Sequence, residues 1–339
     1  MKGTELIRSE TVDDARNLIN AGRKNIMING DMQVAQYGTT ISVEGYACDR
    51  WNYLRSGINN ELTFSQESVT SSDVGPWEAG FRNCLQIQNG DQTAGAGASD
   101  YAIARYKVEA RDIANCGWDY TSPNSYITFS YWIKSSVGQN FYNYMRSHDG
   151  TAQVYTWETG ILTKDVWKKV TVTFPGDSGL TFNDDNGIGM MITFPLFWGG
   201  TWTDPGVGLN KWREWNTNHR TPDWTTTWWN TNDATLSLTG VQLEVGSQAT
   251  SFEHRFYGEE LALCQRYYLK TVANTASYLP CTNASDHSRV NLMFPVTMRS
   301  APQGVMTNYT LTCKTTGVNG YQSNGATDTQ PEGTFNAEL

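Results

Sequence analysis

Between Asn29 and Phe252 the chain alternates apolar and polar residues with a period near two, the spacing of strands that bury one face. The clearest runs are residues 126–134 (YITFSYWIK), 167–174 (WKKVTVTF), 189–194 (GMMITF) and 235–245 (TLSLTGVQLEV). Clusters such as Pro175-Gly176-Asp177 and residues 183–187 supply turns between them. Helical periodicity is absent throughout this stretch. Before it, Thr11-Val12-Asp13-Asp14 resembles a capping box, Val12, Ala15, Leu18 and Ile19 share one helical face, and Gly22 can end the helix. After it, residues 258–270 (GEELALCQRYYLK) read as a helix with Glu259 and Glu260 at its positive end and Arg266 and Lys270 toward the other. Residues 289–297 and 306–316 return to the strand pattern. The expected fold is mainly β, a jelly-roll β-sandwich with a short N-terminal helix and a second, smaller C-terminal β domain. The expected boundaries are 1–28 for an attachment helix or arm, 29–256 for the jelly roll and 257–339 for the small domain. No fixed-period repeat points to a solenoid or propeller.

Charge narrows the ligand classes. The 339 residues carry 34 Asp and Glu against 25 Lys and Arg, a net charge of −9, so no global positive field exists to hold nucleic acid. Charged residues make up 17% of the chain, below the roughly 25% of an average domain. The surface must therefore be built from Thr, Ser, Asn, Gly and aromatic rings, which suits neutral polar ligands such as sugars. The most apolar stretch, residues 188–198, is broken by Pro195 and is shorter than the ~20 residues of a membrane span, so membrane insertion is not expected. Met1 to Leu6 lacks the apolar core of a secretory signal. The six cysteines are widely spaced, which predicts free thiols in a chain folded in cytosol.

Catalytic and metal signatures are weak. Gly176-Asp177-Ser178-Gly179 is similar to a serine-protease nucleophile segment but continues with Leu180, and no Ala-His-Cys segment precedes it; a turn is the better reading. His148, His219, His254 and His287 show no ligand-pair spacing, and neither a dinucleotide fingerprint nor a phosphate loop is present. Glu158, Asp165, Asp184, Asp185 and Glu214 could in principle supply a glycosidase pair, but their spacing is that of solvated turn residues. Residues 183–187 lack the ligand alternation of a calcium loop. No catalytic residue, metal or cofactor is expected.

Aromatic residues are more informative. Phe197, Trp198, Trp202, Trp212, Trp215, Trp224, Trp228 and Trp229 crowd a segment rich in Gly, Thr, Asn, Asp and Pro that reads as long loops. Indole faces stack on sugar rings while nearby polar groups bind hydroxyls. Trp202, Trp212, Trp215, Trp224, Trp228 and Trp229 are the candidate glycan platforms, whereas Trp51 and Trp132 are expected in the core. The competing expectation is a satellite core in which these rings pack on the sandwich.

Local motifs carry a resemblance. Residues 24–33 (KNIMINGDMQ), followed by residues 45–51 (GYACDRW), resemble the opening of jelly-roll carbohydrate-binding modules, an Asn-Gly-x-Phe-Glu strand with a tryptophan soon after. Residues 175–179, 185–189, 239–246 (TGVQLEVG), 252–255 (FEHR), 257–268 and 294–302 (FPVTMRSAP) resemble segments of tail-fibre or other virion appendage proteins of marine tailed phages. The resemblance implies a jelly roll assembled into a virion, a homotrimer, contacts with other virion proteins and a host-surface glycan as ligand. Carbohydrate-binding modules of this kind often hold calcium through acidic residues where this chain has Gln33 and Thr239-Gly240. The resulting expectation is a non-enzymatic tail fibre or similar appendage that adsorbs to host glycan. The alternatives are a capsid decoration or head-fibre protein, whose aromatics would contact protein, and a polysaccharide depolymerase.

Overall fold

A computed structural model of the chain describes residues 24–92, 94–271, 282–284, 287–306, 309–322 and 332–339. The N-terminal helix expected around Thr11 to Gly22 lies outside these residues. The chain divides into two compact units, with the boundary between His254 and Arg255.

Thirteen strands among the described residues build the first unit: β1 (Thr40–Ile41), β2 (Gly45–Tyr46), β3 (Trp51–Ser56), β4 (Thr63–Ser68), β5 (Asn83–Gln88), β6 (Tyr101–Glu109), β7 (Tyr126–Ser135), β8 (Tyr142–Ser147), β9 (Gln153–Glu158), β10 (Lys168–Pro175), β11 (Ile188–Trp198), β12 (Trp212–Glu214) and β13 (Thr235–Val245). They form a six-stranded sheet, β1-β4-β5-β13-β7-β10, and a seven-stranded sheet, β12-β9-β8-β11-β6-β3-β2. The chain crosses repeatedly between the sheets, giving the jelly-roll β-sandwich. The four runs with the strongest alternation are β7, β10, β11 and β13. One short helix, α1 (Ala110–Ala114), interrupts the expected all-strand stretch.

Alternate residues of both sheets face inward and fill the core. Trp51 lies 5.2 Å from Tyr106, Phe129 5.8 Å from Trp157, and Tyr131 5.1 Å from Phe194, ring centre to ring centre. Each such ring buries about 150–250 Å2, equivalent to about 4–6 kcal/mol at ~25 cal/mol per Å2. The polar ends of the rings are satisfied: Trp51 Nε1–H donates to the Asn29 carbonyl at 3.1 Å, while Asn143 and Trp157 both donate to the Tyr131 hydroxyl. Trp51 is in the core as expected. Trp132 is only half-buried and sits outside the six-stranded sheet in a small cluster with Val69, Cys84 and Trp167. β13 carries a bulge between Thr239 and Gln242. Gly240 adopts φ +61° there, and a Cβ on it would fall 2.5 Å from the Phe81 ring.

Residues 24–28, expected in the arm, are laced into the sandwich instead. The backbone N–H groups of Lys24 and Asn25 donate to Glu253 Oε2 at 2.8 and 2.6 Å, and the Ile26 N–H donates to the Leu243 carbonyl. Met27 is fully buried. The apolar side chains of this segment have core to fill, which outweighs any tendency to continue as an arm.

In the second unit, α2 (Tyr257–Gln265) precedes β14 (Tyr268–Lys270), β15 (Thr282–Ala284), β16 (His287–Met293), β17 (Gln303–Met306), β18 (Thr310–Lys314), β19 (Gly317–Gln322) and β20 (Gly333–Asn336). The strands pair as β14-β20-β17 and β15-β16-β19-β18 around Leu269, Leu292, Phe294, Met298, Val318 and Phe335. The helix expected over 258–270 stops at Gln265, because Tyr268, Leu269 and Lys270 pair with Asn336, Phe335 and Thr334 of β20.

Candidate functional site

The outward face of the seven-stranded sheet is organised by its registers. Asn52, Arg105, Thr193, Tyr144 and Thr156 are successive partners across β3, β6, β11, β8 and β9. The adjacent row runs Lys107, Met191, Arg146, Val154 and Arg213 from β6 to β12. Their immediate neighbours Tyr106, Ile192, Met145 and Tyr155 point into the core, so the period of two places both rows on the far side.

The aromatic segment after β11 covers this face. It is more ordered than a long loop, with a 3-10 turn at Gly200–Trp202, the edge strand β12 on β9, and a bridge between Thr203 and Thr221. Trp198, Ile103, Tyr144 and Val154 are buried beneath it, and Trp202, Trp215, Trp224, Tyr101 and Leu54 pack around them, partly exposed. Trp198 lies 6.0 Å from Trp202 and 5.0 Å from Tyr101, and Tyr144 lies 5.7 Å from Trp215. Trp224 meets Tyr142 edge-on at 5.7 Å and donates its Nε1–H to Thr221 Oγ1.

Guanidinium groups are stacked among these rings. Arg220 lies 4.3, 4.4 and 5.6 Å from the ring centres of Trp198, Trp202 and Trp215, and Arg146 lies 4.2 Å from Trp215. Arg220 donates Nε–H to the Thr217 carbonyl, Arg213 donates Nη2–H to the Arg220 carbonyl at 2.9 Å, and Arg105 donates to Asn52 Oδ1 at 3.2 Å. Burial pulls all four arginines below the ordinary arginine pKa. Arg146 is lowered further by Arg220 and Arg105, so the charges repel one another. His148 beside them is brought down to about 4 by burial and by Arg146, Lys107 and Arg105.

The six tryptophans proposed from sequence separate into three environments. Trp202, Trp215 and Trp224 share the outward face. Trp212 packs at the sandwich edge, 5.3 Å from Tyr155, and donates Nε1–H to the Pro175 carbonyl at 2.7 Å. Trp228 and Trp229 are not platforms, since both have 0% exposure. Asn89 donates to the carbonyls of Trp228, Trp229 and Thr231, and Gln139 Oε1 accepts the Trp228 N–H, so the backbone of the pair is satisfied inside the core. Trp229 then packs 4.8 Å from Phe197. Sequence reasoning missed Tyr101, Arg105, Tyr144, Arg146 and Arg220. The signal was in the alternation of YAIARYKVE and YNYMRS, which assigns Arg105 and Arg146 to the side opposite the core.

Acidic residues considered for hydrolysis hold turns and edges: Asp185 Oδ1 accepts the Gly187 N–H, Asp184 accepts from Asn115 and Glu158 from Asn140. Among the described residues no cluster of three His, Cys, Asp or Glu could hold a metal ion. Gln33 donates its amide to Asp31 Oδ2 at 2.7 Å, and Thr239 donates to the Asn83 carbonyl. A separate pocket of about 290 Å3 lies outside the six-stranded sheet, between Phe81, Trp132, Lys169, Phe252 and His254.

No protein-family profile matches the sequence, and no curated protein aligns with it. Solved structures that match part of the chain include the enzymatically active domain of tailspike protein 4 of bacteriophage CBA120, with a TM-score of 0.35 and 10% identity over 66% of this chain. The match spans about one fifth (21%) of that domain's length. A putative sugar-binding protein from Bacteroides thetaiotaomicron gives a TM-score of 0.35 and 10% identity over 66% of this chain and 100% of that one. The N-terminal cellulose-binding domain of Cellulomonas fimi β-1,4-glucanase C gives 0.29 and 12% over 62% and 96%.

Proposed function

We propose that this protein is a non-catalytic glycan-binding component of a phage virion appendage, adsorbing to the host surface through the outward face of its seven-stranded sheet. The observation that carries the reading is the grouping of Trp202, Trp215, Trp224, Tyr101 and Tyr142 with hydrogen-bonding side chains on one sheet face. Partly exposed rings supply stacking area, and the neighbouring polar groups supply orientation. Adsorption of this kind works with weak single contacts, because linked copies raise avidity roughly 10²–10⁴-fold. A homotrimer mounted on other virion proteins and assembled in the host cytoplasm supplies that linkage.

The test is binding of the purified chain to an array of bacterial surface polysaccharides, alongside Trp215→Ala and Trp202→Ala variants checked for folding by circular dichroism. Retention of a glycan by the wild type, weakened at least tenfold in both variants, is expected. Failure of the folded protein to retain any saccharide would overturn the reading. Immunolabelling of intact particles addresses the location: label on the tail is expected, and label spread over the capsid would favour a decoration protein.

A further inference from the structure

We infer that the saccharide taken by this face is acidic, bearing carboxylate or sulfate groups that sit against Arg105, Arg146 and Arg220. The inference rests on the glycan-binding reading and adds the chemical class of the ligand. Its basis is a charge imbalance confined to one place. The chain as a whole carries −9, yet this sheet face gathers Arg105, Arg146, Arg213, Arg220 and Lys107. Among the described residues, none of the four arginines makes an ion pair within 4.0 Å. Glu44, whose charge acts on Arg105, accepts instead the Arg55 backbone N–H at 3.0 Å. Among the described residues, the buried Nε–H groups of Arg105, Arg146 and Arg213 have no acceptor.

Such an arrangement is unfavourable in the free protein. Half-buried like charges repel, and buried donors without acceptors lose their hydration. Elsewhere in the same unit, the partly buried Lys134 is paired, bonding Asp73 at 2.7 Å. The aromatic rings explain how Arg146 and Arg220 are held without carboxylates, through their π faces, while Arg105 is held by its hydrogen bond to Asn52. Stacked in this way, a guanidinium is held in place while its N–H edge can still bond an oxyanion, the geometry that suits bidentate recognition of a carboxylate or sulfate. The rings thus serve two purposes, contacting sugar and carrying the arginines. A neutral glycan would use only the first.

The experiment measures the affinity of the full chain by calorimetry for three tetrasaccharides, tetragalacturonate (carboxylates only), a sulfated galactotetraose (sulfates only) and neutral galactotetraose, and for a single-stranded DNA tetranucleotide, with inorganic sulfate as the anion alone. One or both acidic saccharides should bind at least tenfold more tightly than galactotetraose and weaken as NaCl rises from about 50 to 300 mM. Which acidic probe is preferred assigns carboxylate or sulfate. Arg146→Gln should reduce that affinity about 10- to 100-fold, the value of a charge-assisted hydrogen bond, and Arg146→Lys should recover part of it. Because Arg146 makes no ion pair among the described residues, and its repulsion by Arg220 and Arg105 offsets its stack on Trp215, Arg146→Gln should melt within about 2 °C of the wild type, whereas an arginine that serves only the fold would melt lower. Equal binding of galactotetraose, unaffected by Arg146→Gln, would overturn the acidic class while leaving glycan binding intact. Preference for DNA, or equal response to inorganic sulfate, would overturn it as well. Absence of binding to every saccharide would remove the glycan reading on which it rests.

Discussion

Replacing Trp229 with alanine separates two roles that look alike in the sequence. The side chain has 0% exposure, packs at a tilt 4.8 Å from Phe197 and donates Nε1–H to the Gly95 carbonyl at 3.2 Å. An indole buries about 150–250 Å2, equivalent to about 4–6 kcal/mol at ~25 cal/mol per Å2. Alanine keeps the β-carbon, and the surrounding atoms relax in part, so a loss of about 3–5 kcal/mol is expected. For a unit of this size each kcal/mol moves the melting temperature by about 2–4 °C, giving a fall of about 6–20 °C. The assay is favourable, since all 13 tryptophans precede the boundary at His254 and fluorescence follows the sandwich alone. The same substitution at Trp215, half-buried on the sheet face, should lower the melting temperature less and glycan affinity more. A Trp229→Ala protein that melts within about 2 °C of wild type but no longer binds glycan would refute this assignment of the ring to the core.

Two further outcomes follow from the geometry. His148 titrates near 4, below the ~6.5 of the unfolded chain, so its stabilising contribution is present above about pH 6.5 and declines as pH falls toward 4. Unfolding in denaturant at pH 7 and pH 4.5 should show a smaller acid loss for His148→Gln, and NMR titration of its ring should find the low midpoint. Gly240→Val combines a left-handed backbone with a Cβ 2.5 Å from the Phe81 ring, so it should cost about 1–3 kcal/mol or more in the same denaturant assay.

The long strands were legible because a period of two sustained over eight to eleven residues leaves little ambiguity; the 235–245 run matches β13 end to end. Short strands such as β1 and β2, two residues each, have no period to detect and exist through pairing with β4 and β3. The site was half legible. Local composition pointed to the aromatic segment, but which indoles stay near solvent depends on distant partners: Trp228 and Trp229 are drawn inward by Asn89, 139 and 140 residues away. The arginine group was invisible for a similar reason. Arg105 and Arg146 become neighbours of Arg220 only when β6, β11 and β8 pair in their observed register.

The hydrogen bonds from Lys24 and Asn25 to Glu253 bring the two ends of the sandwich to the same flank. A fold closed in this manner behaves as a cassette. Spliced between residues 24 and 254 into an exposed turn of an unrelated scaffold, it should retain its shape with only short spacers, since host and guest join through a single narrow neck.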